Sequence, residues 1–317
     1  MPGLWQFHLF YWLNMNRRYV LISPCRNEAA YMRQTLDSVV AQSVRPAKWV
    51  VVDDGSTDDT SAILAEYQQQ YSWIEVITRK DRGHRAVGPG VIEAFYEGYE
   101  AINPNQFAYF CKLDLDLRLP PRYFEILIQR MEADPRLGTC SGKSYIEEHG
   151  RLIDELKGDE TSLGMTKFYR IECFKEIGGF VREVMWDGID CHRCRMLGWS
   201  ASSWNEPDLR FVHLRPMGTS QQGVFTGRMR HGSGQYYMGT GFVYMVASAV
   251  YRMREKPYVL GGLAILWGWC LSAIQGNRRY ADPEFRKFLR RFQWRALVVG
   301  KKRATEEFEC TRNSLLR

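Results

Sequence analysis

The chain has 317 residues, 45% of them hydrophobic and 14% aromatic, and a formal net charge of +7. That length suits one large domain with an appendage, and the hydrophobic content excludes a disordered chain. Asn277–Arg303 holds ten Lys/Arg and two Asp/Glu, a local +8, so the rest is near-neutral; a basic tail on such a body suits an anionic membrane surface and argues against nucleic acid, which needs a basic face on the body itself.

Residues 1–17 form an aromatic N-terminal segment. Its apolar run, LWQFHLFYWL at Leu4–Leu13, is too short to span a bilayer and lacks the basic start and small-residue cleavage site of a secretory signal. Tyr19–Ser23 is a short apolar run that Pro24 ends. A helical period follows through Tyr31, Leu36, Val39 and Val40. Lys48–Val52 is a second β-rich run, ending in Asp53-Asp54-Gly55-Ser56. Thr57-Asp58-Asp59-Thr60 then supplies N-cap chemistry for a helix. Trp73–Ile77 reads as a strand, Val91–Ala101 as a helix and Phe107–Leu113 as a strand. This alternation predicts an α/β domain with a mostly parallel sheet and helices on both faces, its ligands at the carboxyl ends of the strands.

Past Asp116 the pattern loosens. A helix is expected from Pro120-Pro121 to about Glu132, a polar stretch over Tyr145–Thr161 and a helix over Phe168–Ile177. Gly178-Gly179 marks a tight turn. A helix over Gly188–Leu197 and strands over Trp199–Trp204 and Leu209–Leu214 close this part. Composition changes near Gly232, which sets the expected division into 18–231 and 232–317. The eight cysteines are scattered without framework spacing, as in a reduced cytosolic setting. Cys191 and Cys194 lack the second pair that a zinc site needs and are expected as core thiols.

In the last third, Tyr258–Asn277 is twenty residues without a charge but with four Gly, marginal as a membrane span. Phe285, Phe288, Leu289, Phe292, Ala296 and Val299 recur at helical spacing, with Arg286, Lys287, Arg290, Arg291 and Arg295 on the other flanks. That is the pattern of a basic interfacial anchor helix. The basic flanks favour a peripheral position on the inner, cytoplasmic face of the membrane. A helical subdomain packed on the body, or an oligomer interface, is the other expectation.

Three acidic clusters carry the chemistry: Asp53-Asp54, Asp114-Leu115-Asp116 and Asp187-Gly188-Ile189-Asp190. In Asp-x-Asp after a buried strand, alternation puts both carboxylates on one side of an extended turn. Such oxygens suit Mg²⁺ or Mn²⁺ shared with a diphosphate.

Four motifs in order resemble the inverting family-2 glycosyltransferases of the GT-A fold, as in bacterial polysaccharide biosynthesis. They are Pro24-Cys25-Arg26-Asn27-Glu28, Val51-Val52-Asp53-Asp54-Gly55-Ser56, Asp114-Leu115-Asp116, and the segment from Gly178-Gly179-Phe180 through Trp186-Asp187 to Gly198-Trp199. The resemblance covers about residues 18–215 and implies a role for each position. Pro24, Arg26 and Glu28 belong to the nucleotide pocket. Asp53 or Asp54 bonds the base, expected to be uracil. Arg82, in a basic loop with His84 and Arg85, is placed to meet phosphate or substrate, a solvated loop being the alternative. Asp114 lies near the ribose, the diphosphate and the metal, Asp116 is the more direct metal ligand, and His213 is a further one. Asp187 is the general base, with Trp186, Asp190 and Gly179 near the acceptor or donor sugar. The implied cofactor is Mg²⁺ or Mn²⁺. The implied partners are a nucleotide-sugar donor and a saccharide or lipid-linked saccharide acceptor of the cell envelope or an exopolysaccharide. The family usually has Glu before the catalytic Asp; Trp186 stands there, which leaves the acceptor class open.

Three other readings have sequence tests. A nicotinamide dehydrogenase needs Gly-x-Gly-x-x-Gly after the first strand, where Pro24-Cys25-Arg26-Asn27-Glu28 stands. A sugar-nucleotide pyrophosphorylase needs a glycine-rich basic loop there. A silent nucleotide-sugar-binding regulatory module has no reason to keep Asp114, Asp116 and Asp187 together.

Overall fold

The structure, a computed structural model, describes residues 17–84, 88–155, 158–215, 223–254 and 257–313, with side chains to residue 309. In chain order its strands and longer helices are β1 Tyr19–Cys25, α1 Met32–Val40, β2 Lys48–Asp53, α2 Thr60–Gln70, β3 Ile74–Thr78, α3 Pro89–Glu100, β4 Tyr109–Leu113, β5 Leu117–Arg118, α4 Tyr123–Ala133, β6 Leu137–Ser141, β7 Lys143–Glu148, β8 Arg151–Asp154, β9 Thr166–Arg170 and α5 Ile171–Glu176. There follow α6 Trp186–Leu197, β10 Ser200–Ser203, β11 Arg210–His213, α7 Val224–Met238, α8 Phe242–Arg252, α9 Leu260–Ile274, α10 Pro283–Val299 and α11 Lys301–Asn313.

The chain divides into two compact units. The first is made from the described residues of Met1–Ala86, Gly90–Gly179 and Ala201–Arg215, the second from those of Val87–Pro89, Phe180–Ser200 and Pro216–Arg317. Gly232, where the composition changes, lies inside α7.

The first unit holds a seven-stranded sheet in the order β10-β6-β9-β4-β1-β2-β3. β1 pairs parallel with β2 and β4, and β2 with β3. These central strands are buried along nearly their whole length, as a sheet covered on both faces requires. β9 runs antiparallel to β4 and to β6. The sheet is therefore mixed, where sequence predicts mostly parallel. Two segments account for the difference. Leu137–Ser141 was not expected as a strand, and Thr166–Arg170 falls in a stretch that reads as the start of a helix. The rings of Phe168 and Tyr109 stack across the β4–β9 pair at 5.3 Å, a cross-strand contact that helical spacing does not reveal.

A second sheet, β5-β11-β7-β8, also differs from expectation. The polar stretch after Tyr145 is in fact a hairpin whose turn, His149-Gly150, takes positive φ at both residues (51° and 74°). That geometry matches the twist of paired strands and marks a two-residue hairpin. β11 lies between β5 and β7, with His213 opposite Leu117. This register brings the end of β11 beside Asp116.

The second unit is helical. Its glycines set how closely the helices cross. A Cβ on Gly232 of α7 would stand 1.9 Å from the Ile265 carbonyl oxygen, and one on Gly268 of α9 would stand 2.1 Å from that of Met229. Only glycine admits this approach. The glycines that weaken Tyr258–Asn277 as a span are, at Gly262 and Gly268, packing positions. Among the described residues no helix is long and apolar enough to cross a membrane, and α9 has 15 residues.

α10 spans the stretch where apolar residues recur at helical spacing. Asp282 caps it by accepting from the Phe285 N–H at 2.9 Å, and Pro283 follows in the first turn. Its apolar stripe of Phe285, Leu289, Phe292 and Ala296 is buried. Phe285 and Leu289 pack with Tyr280, Ile189 and Met238, and Phe292 and Ala296 with Ala304. The stripe expected to face lipid is filled by protein.

Candidate active site

The first unit gathers charged side chains at the carboxyl ends of β1, β2 and β4, the place where parallel sheets bind ligands. Two loops are stitched together there. After β1, Asn27 takes a left-handed conformation (φ 53°), which Asn tolerates better than most residues. Its N–H donates to Ser56 Oγ at 2.9 Å, and its Oδ1 accepts from the Thr57 N–H at 2.8 Å. The Glu28 N–H donates to Thr60 Oγ1. After β2, Asp53 is buried, with Oδ1 accepting from the Ser56 N–H and Oδ2 from Ser61 Oγ at 2.6 Å. Asp53 thus holds the turn with both oxygens.

Asp54 is arranged differently. Its Oδ1 accepts from Arg79 Nη1 at 2.7 Å and Arg82 Nη2 at 2.6 Å, while Oδ2 has no hydrogen bond among the described residues. Arg26, buried, donates to the Asp54 carbonyl and to Asp81 Oδ1 at 2.6 Å. Gly55 (φ 71°) lets the 79–84 loop close over this turn, since a Cβ would stand 2.4 Å from Asp81 Cα. Pro24 is part of β1, in register with Val52. His84 Nδ1 lies 3.1 Å from the Arg82 carbonyl, and Arg85 lies outside the described residues.

After β4, Asp114 pairs with Lys112, whose side chain is buried inside the strand and also donates to the Gly164 carbonyl. Asp116 is 6% exposed and sits under two cations. Arg215 Nη2 donates to its Oδ2 at 2.7 Å, and His213 Nε2 lies 3.6 Å from the same oxygen. The Leu214 N–H donates to the Asp116 carbonyl, tying the chain after β11 to the chain after β4. On its other side His213 Nδ1 lies 3.3 Å from Glu155 Oε2. Burial opposes ionisation of Asp116, but His213 and Arg215 outweigh it and hold the carboxyl down at about 2. Burial likewise opposes a charged His213, yet the Asp116 and Glu155 carboxylates raise it to about 9.

Among the described residues, Asp116 Oδ1 is buried without a hydrogen bond, although buried polar atoms are nearly always satisfied. Among the described residues no group of three or more His, Cys, Asp or Glu side chains forms a metal cage. An orphaned carboxylate oxygen without a cage fits an ion such as Mg²⁺ or Mn²⁺, which completes its shell with phosphate and water.

The remaining residues singled out by sequence lie apart in kind. Gly179 (φ 76°) ends the turn after α5, where a Cβ would meet the Tyr96 hydroxyl at 2.3 Å; its role is steric. Trp186, Asp187 and Asp190 belong to the second unit. Asp187 is half-buried in the first turn of α6, where the helix dipole favours negative charge. Trp186 is buried edge-on against Phe180 at 4.7 Å. Asp190 is 1% exposed and accepts from the Cys191 N–H, so it offers a sugar no surface. Sequence reasoning placed Asn27 in the first-strand motif without a role of its own, and missed Arg79, Lys112, Glu155 and Arg215 as members of the cluster.

Residues 20–182, more than half of the chain, match the model of Glycosyl transferase family 2. The chain belongs to that family. The poly-beta-1,6-N-acetyl-D-glucosamine synthase of Staphylococcus aureus (strain COL) is 23% identical to this family-2 chain over 134 residues, 42% of this chain and 30% of that protein. The chain therefore spans under a third of the length of the curated relatives it matches. Two solved structures share the fold. GalNAc-T7 with UDP, GalNAc and Mn²⁺ gives a TM-score of 0.55 at 12% identity, covering 86% of this chain and 56% of that one. S. aureus TarS 1-349 in complex with UDP-GlcNAc gives 0.50 at 14% identity, covering 86% and 78%.

The ion cluster has a pH signature. A His whose folded pKa is raised from the ordinary 6.5 to about 9 stabilises the fold fully below pH 6.5, and that contribution is lost as pH rises through 9. In metal-free protein, the melting-temperature difference between wild type and His213→Asn should be largest near pH 6 and shrink towards pH 9.5. Thermal melts across that range check this; a difference independent of pH would show that His213 is not held charged.

Proposed function

We propose that this family-2 protein moves a sugar from a UDP-sugar donor to an acceptor hydroxyl in one displacement that inverts the anomeric configuration. The observation that carries the reading is the clustering of Asp54, Asp114 and Asp116 at the ends of β2 and β4, with Asp116 Oδ1 left without a partner among the described residues. In this reading Asp54 Oδ2 accepts from the uracil ring N–H, and Asp114 borders the ribose and diphosphate. Mg²⁺ or Mn²⁺, held by Asp116 with His213 near, would neutralise charge on the departing diphosphate. Asp187 takes the proton of the attacking hydroxyl as general base. The acceptor oxygen bonds to the anomeric carbon as the bond to the diphosphate breaks, and UDP leaves with the electron pair. One displacement through an oxocarbenium-like state inverts the centre. The names of the similar proteins favour an N-acetylhexosamine as the sugar: one makes poly-N-acetylglucosamine, and two were solved with UDP-GlcNAc or with UDP and GalNAc.

The acceptor belongs to the same proposal: a saccharide, lipid-linked, met at a membrane surface. Support comes from the second unit. α8 exposes Phe242, Val243, Val250 and Tyr251, and α9 exposes Leu260, Leu263 and Trp267. An open cavity of about 470 Å³ is lined by Phe225, Met229, Leu263 and Trp267 among others. Exposed apolar residues clustered on neighbouring helices mark an interaction surface, and Arg252 and Arg254 at the end of α8 suit anionic headgroups.

Three experiments test the reading. The protein with Mn²⁺ should release UDP from at least one of UDP-GlcNAc, UDP-GalNAc and UDP-glucose. Asp187→Asn should slow transfer by about 10²–10⁴-fold without weakening UDP binding. No nucleotide released from those donors or from GDP-mannose would leave a binding module in place of an enzyme, and an Asn variant as fast as wild type would remove Asp187 as base. For the membrane, full-length protein should sediment with anionic liposomes at low salt, and Leu263→Ser/Trp267→Ser should reduce this. Wild type left in the supernatant would defeat that part.

A further inference from the structure

Arg215 lies at the end of the first unit, and no motif pointed to it. Its guanidinium bridges two buried carboxylates. Nη2 donates to Glu28 Oε1 at 2.9 Å and Oε2 at 3.0 Å, and to Asp116 Oδ2 at 2.7 Å; Nε lies 3.2 Å from the same Asp116 oxygen. The plane sits over the Tyr31 ring, 5.4 Å from its centroid. One edge of the fork is therefore spent on the protein. Among the described residues the other nitrogen, Nη1, makes no hydrogen bond, and the side chain is 17% exposed. A guanidinium has five N–H donors in a rigid fork, which suits it to phosphate oxygens.

The placement matters because of what it adjoins. Glu28 and Asp116 come from the ends of different strands, and without a cation between them two buried negative charges would repel. Arg215 supplies that cation without using Asp116 Oδ1. The same guanidinium thus balances the carboxylates and keeps an edge for an anion.

We infer that Arg215 is a phosphate-contacting residue of the donor site, its Nη1 edge taking an oxygen of the nucleoside diphosphate, so that diphosphate recognition does not rest wholly on a divalent ion. This inference depends on the nucleotide-sugar reading above. It departs from that reading in requiring that the metal-free protein still distinguish UDP from uridine.

Calorimetric titrations in EDTA, with UDP and with uridine, test it on full-length wild type, Arg215→Met and Arg215→Lys. Wild type should bind UDP more tightly than uridine. A charge-assisted hydrogen bond contributes about 1.5–3 kcal/mol, so Arg215→Met should lose about 10- to 100-fold in UDP affinity while binding uridine as wild type does. Arg215→Lys, which keeps the charge but not the fork, should fall between. Added Mn²⁺ should restore much of the UDP affinity of Arg215→Met. Unchanged uridine binding shows that the nucleoside pocket is intact, so the loss is not one of folding. If either variant binds UDP in EDTA as tightly as wild type, Arg215 is only a strut between Glu28 and Asp116 and the inference falls. If wild type binds neither UDP nor uridine even with Mn²⁺, the nucleotide reading itself fails, and this inference with it.

Discussion

The ion cluster around Asp116 is the constraint on which the first unit depends. A buried carboxylate left unpaired costs several kcal/mol, so Asp116 obliges the chain to bring cations to it. They arrive from 97 and 99 positions later in the sequence, as His213 and Arg215. That requirement fixes β11 against β5, with His213 opposite Leu117, and ties the chain after β11 to the chain after β4. It also draws in Glu28 through Arg215 and Glu155 through His213. The ends of β1 and β4 and the second sheet are thus held together by charge as well as by the apolar core that Leu113, Leu115, Leu117 and Phe211 share.

Apolar packing sets where that cluster stands. The strands β1, β2 and β4 are buried on both faces and give the loops a rigid base. Trp49, buried in β2, donates its indole N–H to Ser23 Oγ on β1 at 2.9 Å and stacks on Trp73, so even the polar atom of this large side chain is satisfied inside the core. The loops after β1 and β2 are then locked to each other by Asn27, Ser56 and Asp53. Such a site is largely formed before any ligand arrives, which limits what ordering a donor must cost. The second unit obeys a different economy. Glycine contacts between α7 and α9 and a buried aromatic stripe on α10 hold it together, while apolar residues on α8 and α9 remain exposed.

Much of this was legible in the residues, for reasons that differ from place to place. The central strands followed from apolar runs, two of them ended by acidic turns. Asp53-Asp54-Gly55-Ser56 and Asp114-Leu115-Asp116 were legible because a carboxylate at a strand end needs a local reason. The antiparallel half of the sheet was not. Thr166–Arg170 has aromatic residues at positions that serve a helix as well as a strand, and only its pairing with β4 decides between them. The hairpin at His149-Gly150 was hidden by its polar composition, although a glycine after a residue tolerant of positive φ was a usable sign. The α10 stripe was seen correctly as apolar, but sequence does not say whether lipid or protein covers such a stripe. Arg215 looked like any other arginine. Its one sign is spacing: His213 and Arg215 are two apart, as are Asp114 and Asp116, and that interval puts side chains on one side of an extended chain.

The central claim is that Asp116 keeps one oxygen in reserve for an ion that arrives with the nucleotide. Electron paramagnetic resonance of Mn²⁺, titrated with protein in the presence and absence of UDP, tests it directly. The account predicts weak Mn²⁺ binding by the protein alone, much tighter binding once UDP is present, and loss of that gain in Asp116→Asn. Tight Mn²⁺ binding without nucleotide, or a UDP-dependent gain that survives Asp116→Asn, would contradict it.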